Sequence, residues 1–483
     1  MNDTHTLDWS KEEFSDLIDK GKALVMGHHE DYDDLKGYNG LAQKEMEALF
    51  DEPLPMEGMS YEAILNEVKE KVFRTATGNL GPHMYAYVMS GGNQLSIVAD
   101  MLASTINQNT GKWHLSPGVS EMEKRVVRWG AEMLGLDDFH GGILVSGGSG
   151  ANLAGLTVAR NIFFEKENIR KTGLFGRKPF TVYSSIEVHG CVDKSIEILG
   201  IGTNHLRKVR VNEDYTMNLE ALIDQIESDI EAGFQPFCVV GNAGTVNTGA
   251  IDDMNRIADI CLKYNMWFHV DGAYGGLAGS LDSIRNKYAG MHRANSVAID
   301  FHKWLYQPFE VGCLLVRDWT TLRNAYFKKA DYLDTSLEQQ GRVDFNEHMF
   351  QLSRNNKALK VWMSYKTYGT TRIKQMIQKD IDLSAYLADQ VKNTNDFILK
   401  ARSDLAIACF QFKGDLTDPN DIIALNQKLI PALEEDGRVF ITGTKLKGEF
   451  VLRACLINHR KTKATTDYLL EVIRDVGNKI LTN

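Results

Sequence analysis

The chain is 483 residues long, with 43% hydrophobic and 24% charged residues, a balance that excludes disordered, collagen-like and coiled-coil classes. Lys and Arg number 54 against 64 Asp and Glu, a formal net charge of -10, and without a basic block this opposes binding to nucleic acid. The opening MNDTHTLDWSKEEF has no apolar h-region and no run of 18 apolar residues occurs, so a cytoplasmic protein with no membrane partner is expected.

The first 75 or so residues read as helices, with Phe14, Leu17 and Ile18, then Tyr61, Ile64, Leu65, Val68 and Val72 as apolar positions, divided by Pro53 and Pro55. His28-His29-Glu30 resembles a ligand cluster but has no third site, so a solvated turn is expected. From about residue 116 helix and strand alternate. Ser120-Glu-Met-Glu123 reads as a capping box opening a helix that ends near Gly135. Then come the strand Ile143-Leu-Val145, a Gly-rich turn, a helix from about Ala151, and the strand Thr181-Val-Tyr183. A helix with Leu219, Leu222, Ile223, Ile226 and Ile230 on one face comes next. Phe237–Val240, Trp267–Val270, Ser296–Ile299 and Cys313–Val316 are further short apolar runs. Buried strands between amphipathic helices predict a largely parallel α/β sheet, whose ligands sit at the carboxyl ends of the strands. The six cysteines are scattered, the closest pair 23 residues apart, so neither a disulfide framework nor a metal site is suggested.

Chemistry is therefore sought just after each strand. Ser146-Gly-Gly-Ser149-Gly-Ala-Asn152 runs into a helix, where bare backbone N–H groups and the helix dipole can cradle a phosphate; alone, the same glycines serve a tight turn. The run lacks the third glycine of a dinucleotide fingerprint and the Walker lysine. Asp271 ends one strand, either as a cap or ion-pair partner or as a functional carboxylate. Lys303 comes after another, where burial should lower its pKa toward the nucleophilic amine, although most lysines are solvated surface groups. A histidine, His189, comes after a fourth strand. Together these match the needs of pyridoxal 5'-phosphate: an anion site, an acid opposite the ring nitrogen, an amine, and a flat group against the ring.

On these residues the sequence resembles the group II pyridoxal-phosphate decarboxylases, which act on aromatic amino acids, glutamate or diaminobutyrate. The resemblance runs from about residue 75 to 460, through Gly81–Tyr87, Asn107-Gln108, Trp113–Pro117, Val145–Asn152, Gly244–Asp252, His269–Gly276, Asp300–Trp304, Gln307-Pro308 and Leu452-Arg453. It implies an α/β protein of fold type I: a helical arm (1–84), a large cofactor domain with a mostly parallel sheet (85–358) and a small α+β domain (359–483), assembled as a homodimer. It implies an L-amino-acid decarboxylase working through an external aldimine and a quinonoid. Lys303 would carry the cofactor and Asp271 face its ring nitrogen. His189 would stack on the ring and Ala273 lie beneath it. Gly147, Gly148, Ser149, Thr245 and His302 would also hold the cofactor, and Tyr332 (with Tyr326 as runner-up) would return the proton. Pro82, His83, Trp113 and His114 are expected in the substrate pocket.

The chain departs from the family at Asp300, where Asn is frequent, and at Phe301, Val246 and Gly81. An acid beside a phosphate is unfavourable. Arg453 is expected to serve strand-end packing or a salt bridge. A phenylalanine at the proton-donor position accompanies aldehyde formation in related enzymes, so Tyr332 favours simple decarboxylation over an aldehyde synthase or another carbon–carbon lyase. A nicotinamide-dependent oxidoreductase would leave Lys303 unexplained, and a non-catalytic scaffold would be expected to have lost Lys303 or Asp271.

Overall fold

The computed structural model describes residues 7–30, 32–39, 41–328 and 341–482. The N-terminal arm holds α1 (Lys11–His29), α2 (Gln43–Phe50) and α3 (Tyr61–Glu67). Ser10 and Glu13 form a reciprocal cap on α1, and Tyr61 donates to Asp16 at 2.7 Å, tying α3 to α1. None of the three helices has a buried residue. His28 and His29 lie in the last turn of α1, His28 edge-on to Phe73 at 5.1 Å, and no group of metal-binding side chains occurs among the described residues.

Next come α4 (Gln94–Ile106) and α5 (Pro117–Met133). The capping box expected at Ser120 is not the start of α5. Pro117 takes the first helical position and Ser116 the cap, because proline fits where an N–H would be orphaned. Glu123 instead turns inward, accepting from Leu144 N at 3.0 Å and from Arg354 at 2.5 Å.

The large sheet contains β1 (Gly141–Val145), β2 (Phe180–Ser185), β3 (Leu206–Val209), β4 (Gln235–Asn242), β5 (Trp267–Gly272), β6 (Ser296–Asp300) and β7 (Gly312–Val316). Its order is β1-β7-β6-β5-β4-β2-β3. Only β7 runs against its neighbours; the other pairs are parallel. Both faces are buried: Ile143 and Val145 pack into one core while Leu144 packs into the other, the period of two that a covered strand imposes. The crossing helices are α6 (Gly147–Phe163), α7 (Ile169–Thr172), α8 (Gly190–Ile198), α9 (Leu219–Glu231), α10 (Met254–Lys263), α11 (Phe301–Trp304) and α12 (Trp319–Tyr326). α6 begins four residues before the expected Ala151, so the glycines are its first turn rather than a loop ahead of it.

A long helix, α13 (Ala358–Lys392), is broken at Gly369, whose φ of 68° is a left-handed conformation that favours glycine. It leads to an antiparallel sheet of order β10-β11-β9-β8, built from β8 (Phe397–Arg402), β9 (Ile407–Phe412), β10 (Thr442–Leu446) and β11 (Glu449–Cys455), with α14 (Pro419–Asp436) and α15 (Lys463–Thr482) packed beside it. All six cysteines are buried and unpaired.

Candidate active site

The carboxyl ends of β1, β2, β4, β5 and β6 open on one cavity of about 770 Å³, a size that suits a cofactor together with a small substrate. Each strand end delivers its own group to the wall. After β1, Gly147, Gly148 and Ser149 form the first turn of α6 at the cavity wall. A Cβ on Gly148 would meet Asp300 Oδ2 at 2.6 Å and Ala273 Cβ at 2.7 Å, and one on Gly312 would meet the Gly147 backbone at 2.5 Å. Only bare backbone fits there, so the N–H groups of the helix terminus are left for an anion.

After β2, His189 caps α8, its Nδ1 accepting from Cys191 N at 3.1 Å. That bond assigns the ring proton to Nε2. Burial holds the imidazole below its usual pKa, so it is a neutral N–H donor at pH 7. Asp271, at the end of β5, is buried and accepts from Ala273 N at 3.1 Å.

β6 passes directly into α11, which places Lys303 Nζ 2.9 Å from Asp300 Oδ2. Burial alone depresses the ammonium, as expected from the sequence, but the Asp300 carboxylate, aided by Asp271, outweighs it and the lysine sits above its ordinary value. The expectation of a lowered pKa is corrected for this state of the protein. His302 Nε2 lies 3.6 Å from Asp300 Oδ2, and its Nδ1 lies 3.1 Å from the Val311 carbonyl. Asp300 Oδ1 is buried with no hydrogen-bond partner. A bare cradle, an amine, a buried acid and an unsatisfied polar atom around one cavity fit pyridoxal phosphate.

Gly147, Gly148, Ser149, His189, Asp271, Ala273, His302 and Lys303 are thus brought together. Thr245 is not at the wall. Its hydroxyl accepts from Ala250 N at 3.0 Å and meets Thr248 Oγ1 at 3.1 Å, closing the turn after β4. Within one chain Pro82, His83, Trp113 and His114 also lie off this wall, and Tyr87 and Val88 reach it from that side. Pro82 is buried. His83 Nε2 meets the Asp33 carbonyl at 3.1 Å and its ring packs on Tyr468. Trp113 donates to Glu121 at 3.0 Å, with His114 edge-on to it. Tyr326 is half-buried, its hydroxyl donating to the Ala154 carbonyl at 3.4 Å, and Tyr332 lies outside the described residues.

Sequence reasoning missed several wall residues: Cys191, Asn242, Glu310, and the C-terminal Ile430, Glu434, Thr442 and Thr444. Cys191, Asn242 and Glu310 lie within a few residues of the segments already singled out, but no residue type marked them; Ile430, Glu434, Thr442 and Thr444 arrive from a helix and strand of the C-terminal domain, far along the chain. Arg453 does line the cavity, but its guanidinium is spent on the carbonyls of Val246 at 2.9 Å, Asn247 at 3.1 Å and Tyr87 at 2.8 Å.

A mostly parallel sheet with a lysine, an acid and an anion cradle at its strand ends, joined to a small antiparallel domain, defines a pyridoxal-phosphate enzyme of fold type I. The chain belongs to the pyridoxal-dependent decarboxylase family, whose conserved domain matches residues 43–413. It is 33% identical over 427 residues to the aromatic-L-amino-acid decarboxylase of Bacillus atrophaeus, spanning 88% of this chain and 86% of that one. It is 25% identical over 435 residues to the 4-hydroxyphenylacetaldehyde synthase of Rhodiola rosea, spanning 88% and 87%. Its fold matches the crystal structure of Oryza sativa TDC with PLP and tryptamine at a TM-score of 0.92 and 23% identity, covering 98% and 99% of the two chains. The protein is a pyridoxal-phosphate-dependent carboxy-lyase of amino-acid metabolism, and it decarboxylates an L-amino acid.

Proposed function

We propose that the substrate is an aromatic L-amino acid and that the reaction releases one amine per carbon dioxide. The observation that carries the site assignment is the opening of Lys303, Asp271 and the Gly147–Gly148 turn onto one cavity. Tyr87, Val88, Phe309 and Ile430 give that cavity apolar wall against which a ring can lie, and the Bacillus relative is named for aromatic substrates.

When bound, pyridoxal phosphate supplies an electron sink conjugated to the substrate's α-carbon. Lys303 would supply the amine that holds the cofactor's aldehyde. Asp271 keeps the ring nitrogen protonated, which a buried carboxylate does by charge pairing. His189 would pack against the cofactor's ring, with Nε2–H left as a donor toward the substrate. Ser149 and the first-turn N–H groups of α6 hold the phosphate with His302, and Ala273 leaves room beneath the ring. Tyr332 protonates the α-carbon, which directs the outcome to amine rather than aldehyde.

The chain divides into the arm (1–84), the cofactor domain (85–358) and the small domain (359–483), and it works as a homodimer in the cytoplasm. Support for the dimer comes from the arm: its helices bury nothing, and Phe14, Ile18, Met26, Phe50 and Ile64 are exposed, as are Val98, Met101 and Ile106 on α4. Apolar surface of that extent marks an interface. Among the described residues no helix is long and apolar enough to cross a membrane.

The test is a panel of L-amino acids, including dihydroxyphenylalanine, tryptophan, ornithine and diaminobutyrate, assayed for carbon dioxide and amine with the purified protein. Equimolar amine and carbon dioxide from an aromatic member supports the reading. Turnover confined to the diamino acids would replace the substrate class. Sedimentation at a single chain mass would remove the dimer.

A further inference from the structure

Asp300 stands where an acid is hardest to accommodate. It is the last residue of β6, only 2% exposed. Its Oδ2 reaches the α-carbon region of Gly148 so closely that a methyl there would lie 2.6 Å away. The carboxylate therefore borders the helix terminus that, on the proposed function, receives the cofactor's phosphate. In the structure the carboxylate is balanced by Lys303 at 2.9 Å, with His302 Nε2 at 3.6 Å. Its other oxygen, Oδ1, has no partner. The remaining groups that sense it are His189 on α8 and the Cys313 thiol on β7, while Asp271 on β5 shares Lys303. None of these is a second cation fixed beside it.

Loading the cofactor changes both sides of that balance. Lys303 is drawn off to the cofactor's aldehyde, and a phosphate that is largely a dianion above pH 7 arrives at the adjacent backbone. Two anions at such range do not both stay ionised in a buried site; they retain one proton between them. Once Lys303 is drawn off, Oδ2, the oxygen beside Gly148, is free to carry it, and a carboxylic acid then becomes a donor to a phosphate oxygen instead of a repelling charge.

We propose that Asp300 takes up one proton from solvent as the phosphate enters the cradle, so that acid and phosphate share it and cofactor affinity falls with rising pH. The sign comes from linkage: the loaded state holds one proton more than the free state, so each unit of pH costs about tenfold in affinity across the range where the free carboxylate is ionised.

The experiment uses the full-length protein stripped of cofactor, beside Asp300→Asn, a near-isosteric variant that offers a permanent donor. Each is titrated with pyridoxal phosphate between pH 7 and 9, following the cofactor's absorption. The effect of free cofactor is common to both proteins and cancels in the ratio of dissociation constants. The lysine amine, which Asp300 raises, does not cancel, so the ratio and the proton count are taken from the same pair, wild type and variant at position 300, in a Lys303→Ala background. That ratio, wild type over variant, is expected to rise about tenfold per pH unit. Calorimetry in two buffers of different ionisation enthalpy is expected to show one proton more taken up per subunit by the wild type. A ratio flat with pH and equal proton uptake would overturn the proposal while leaving the cofactor site intact. Failure of both proteins to bind pyridoxal phosphate at any pH would overturn the site reading itself. Circular dichroism of the variant checks that the fold is retained.

Discussion

Asp271 and Lys303 illustrate how much a single side chain's chemistry depends on its neighbours. Removing one member of a buried charge pair costs roughly 3–5 kcal/mol, which at the transition state is about a hundred- to several-thousand-fold in rate. Asp271→Ala is expected to lose that much. Asp271→Asn is expected to keep the cofactor, seen by its visible absorption, yet turn over at a small fraction of the wild-type kcat; full activity in the Asn variant would remove the role. Tyr332→Phe is expected to lower amine yield and raise aldehyde and peroxide, read by chromatography and a peroxide assay, and an unchanged product ratio would return the assignment to Tyr326. At this scale the sequence was a good guide to which residues meet, and a poor one to their charge. Strand-end position marks Lys303 and Asp271, but the raised lysine depends on Asp300 at 2.9 Å, three residues earlier in the same motif, where only the turn from β6 into α11 brings the two side chains together. The off-wall positions of His83 and Trp113 have a related origin: a motif gives chain proximity, and the Asp33 carbonyl from the N-terminal arm or Glu121 on α5 decides where the side chain goes.

At the scale of elements, α6 does most to shape the site, through its first turn. Gly148→Ala would press a methyl to 2.6 Å from Asp300 and 2.7 Å from Ala273. Overpacking of that kind costs about 1–3 kcal/mol, so cofactor affinity is expected to fall about tenfold to a hundredfold with helix content unchanged by circular dichroism. Gly150→Ala, whose Cβ would meet Val145 at an ordinary 3.6 Å, is the matched control and should bind normally. The alternation of buried strand and amphipathic helix made the sheet legible in advance. Boundaries were less so. The Ser120 box was a plausible cap displaced by Pro117 one turn earlier, and Glu123 was claimed by Arg354, 231 residues away. The reversal of β7 has no local signature, since a fully buried strand reads the same in either direction.

For the molecule as a whole, the join between the two sheet systems carries a buried acid outside the active site. Asp380 on α13 accepts from Tyr306 at 2.8 Å, three residues beyond Lys303, and its second oxygen has no partner. Burial pushes its carboxyl from 3.8 to about 7. The unfolded chain therefore ionises first, and this group's contribution to stability is present at low pH and lost as pH rises toward 7. Asp380→Asn retains an acceptor for Tyr306 without the charge. Its stability relative to wild type is expected to rise between pH 5 and pH 8 by ~3 kcal/mol, in denaturant titrations at the two pH values; an equal difference at both would contradict the assignment. Nothing in the sequence singled out Asp380, because its burial is created by segments that only the folded chain brings together.

The seam near Met84 has a temporal consequence. Met84 bridges to Phe440, Tyr85 donates to the Phe440 carbonyl and accepts from Cys455 N, and Lys461 donates to the Met84 carbonyl. A segment made early thus finds its hydrogen-bond partners only in the last fifty or so residues. At about 5–20 residues per second, the interval between residue 85 leaving the ribosome and residue 440 emerging after it is roughly 20–70 s. During that time the backbone around Tyr85 and the apolar arm before it wait without their final contacts. Slower elongation lengthens the wait, and yield of active protein should respond to translation speed and chaperone supply more than the finished enzyme's stability would suggest.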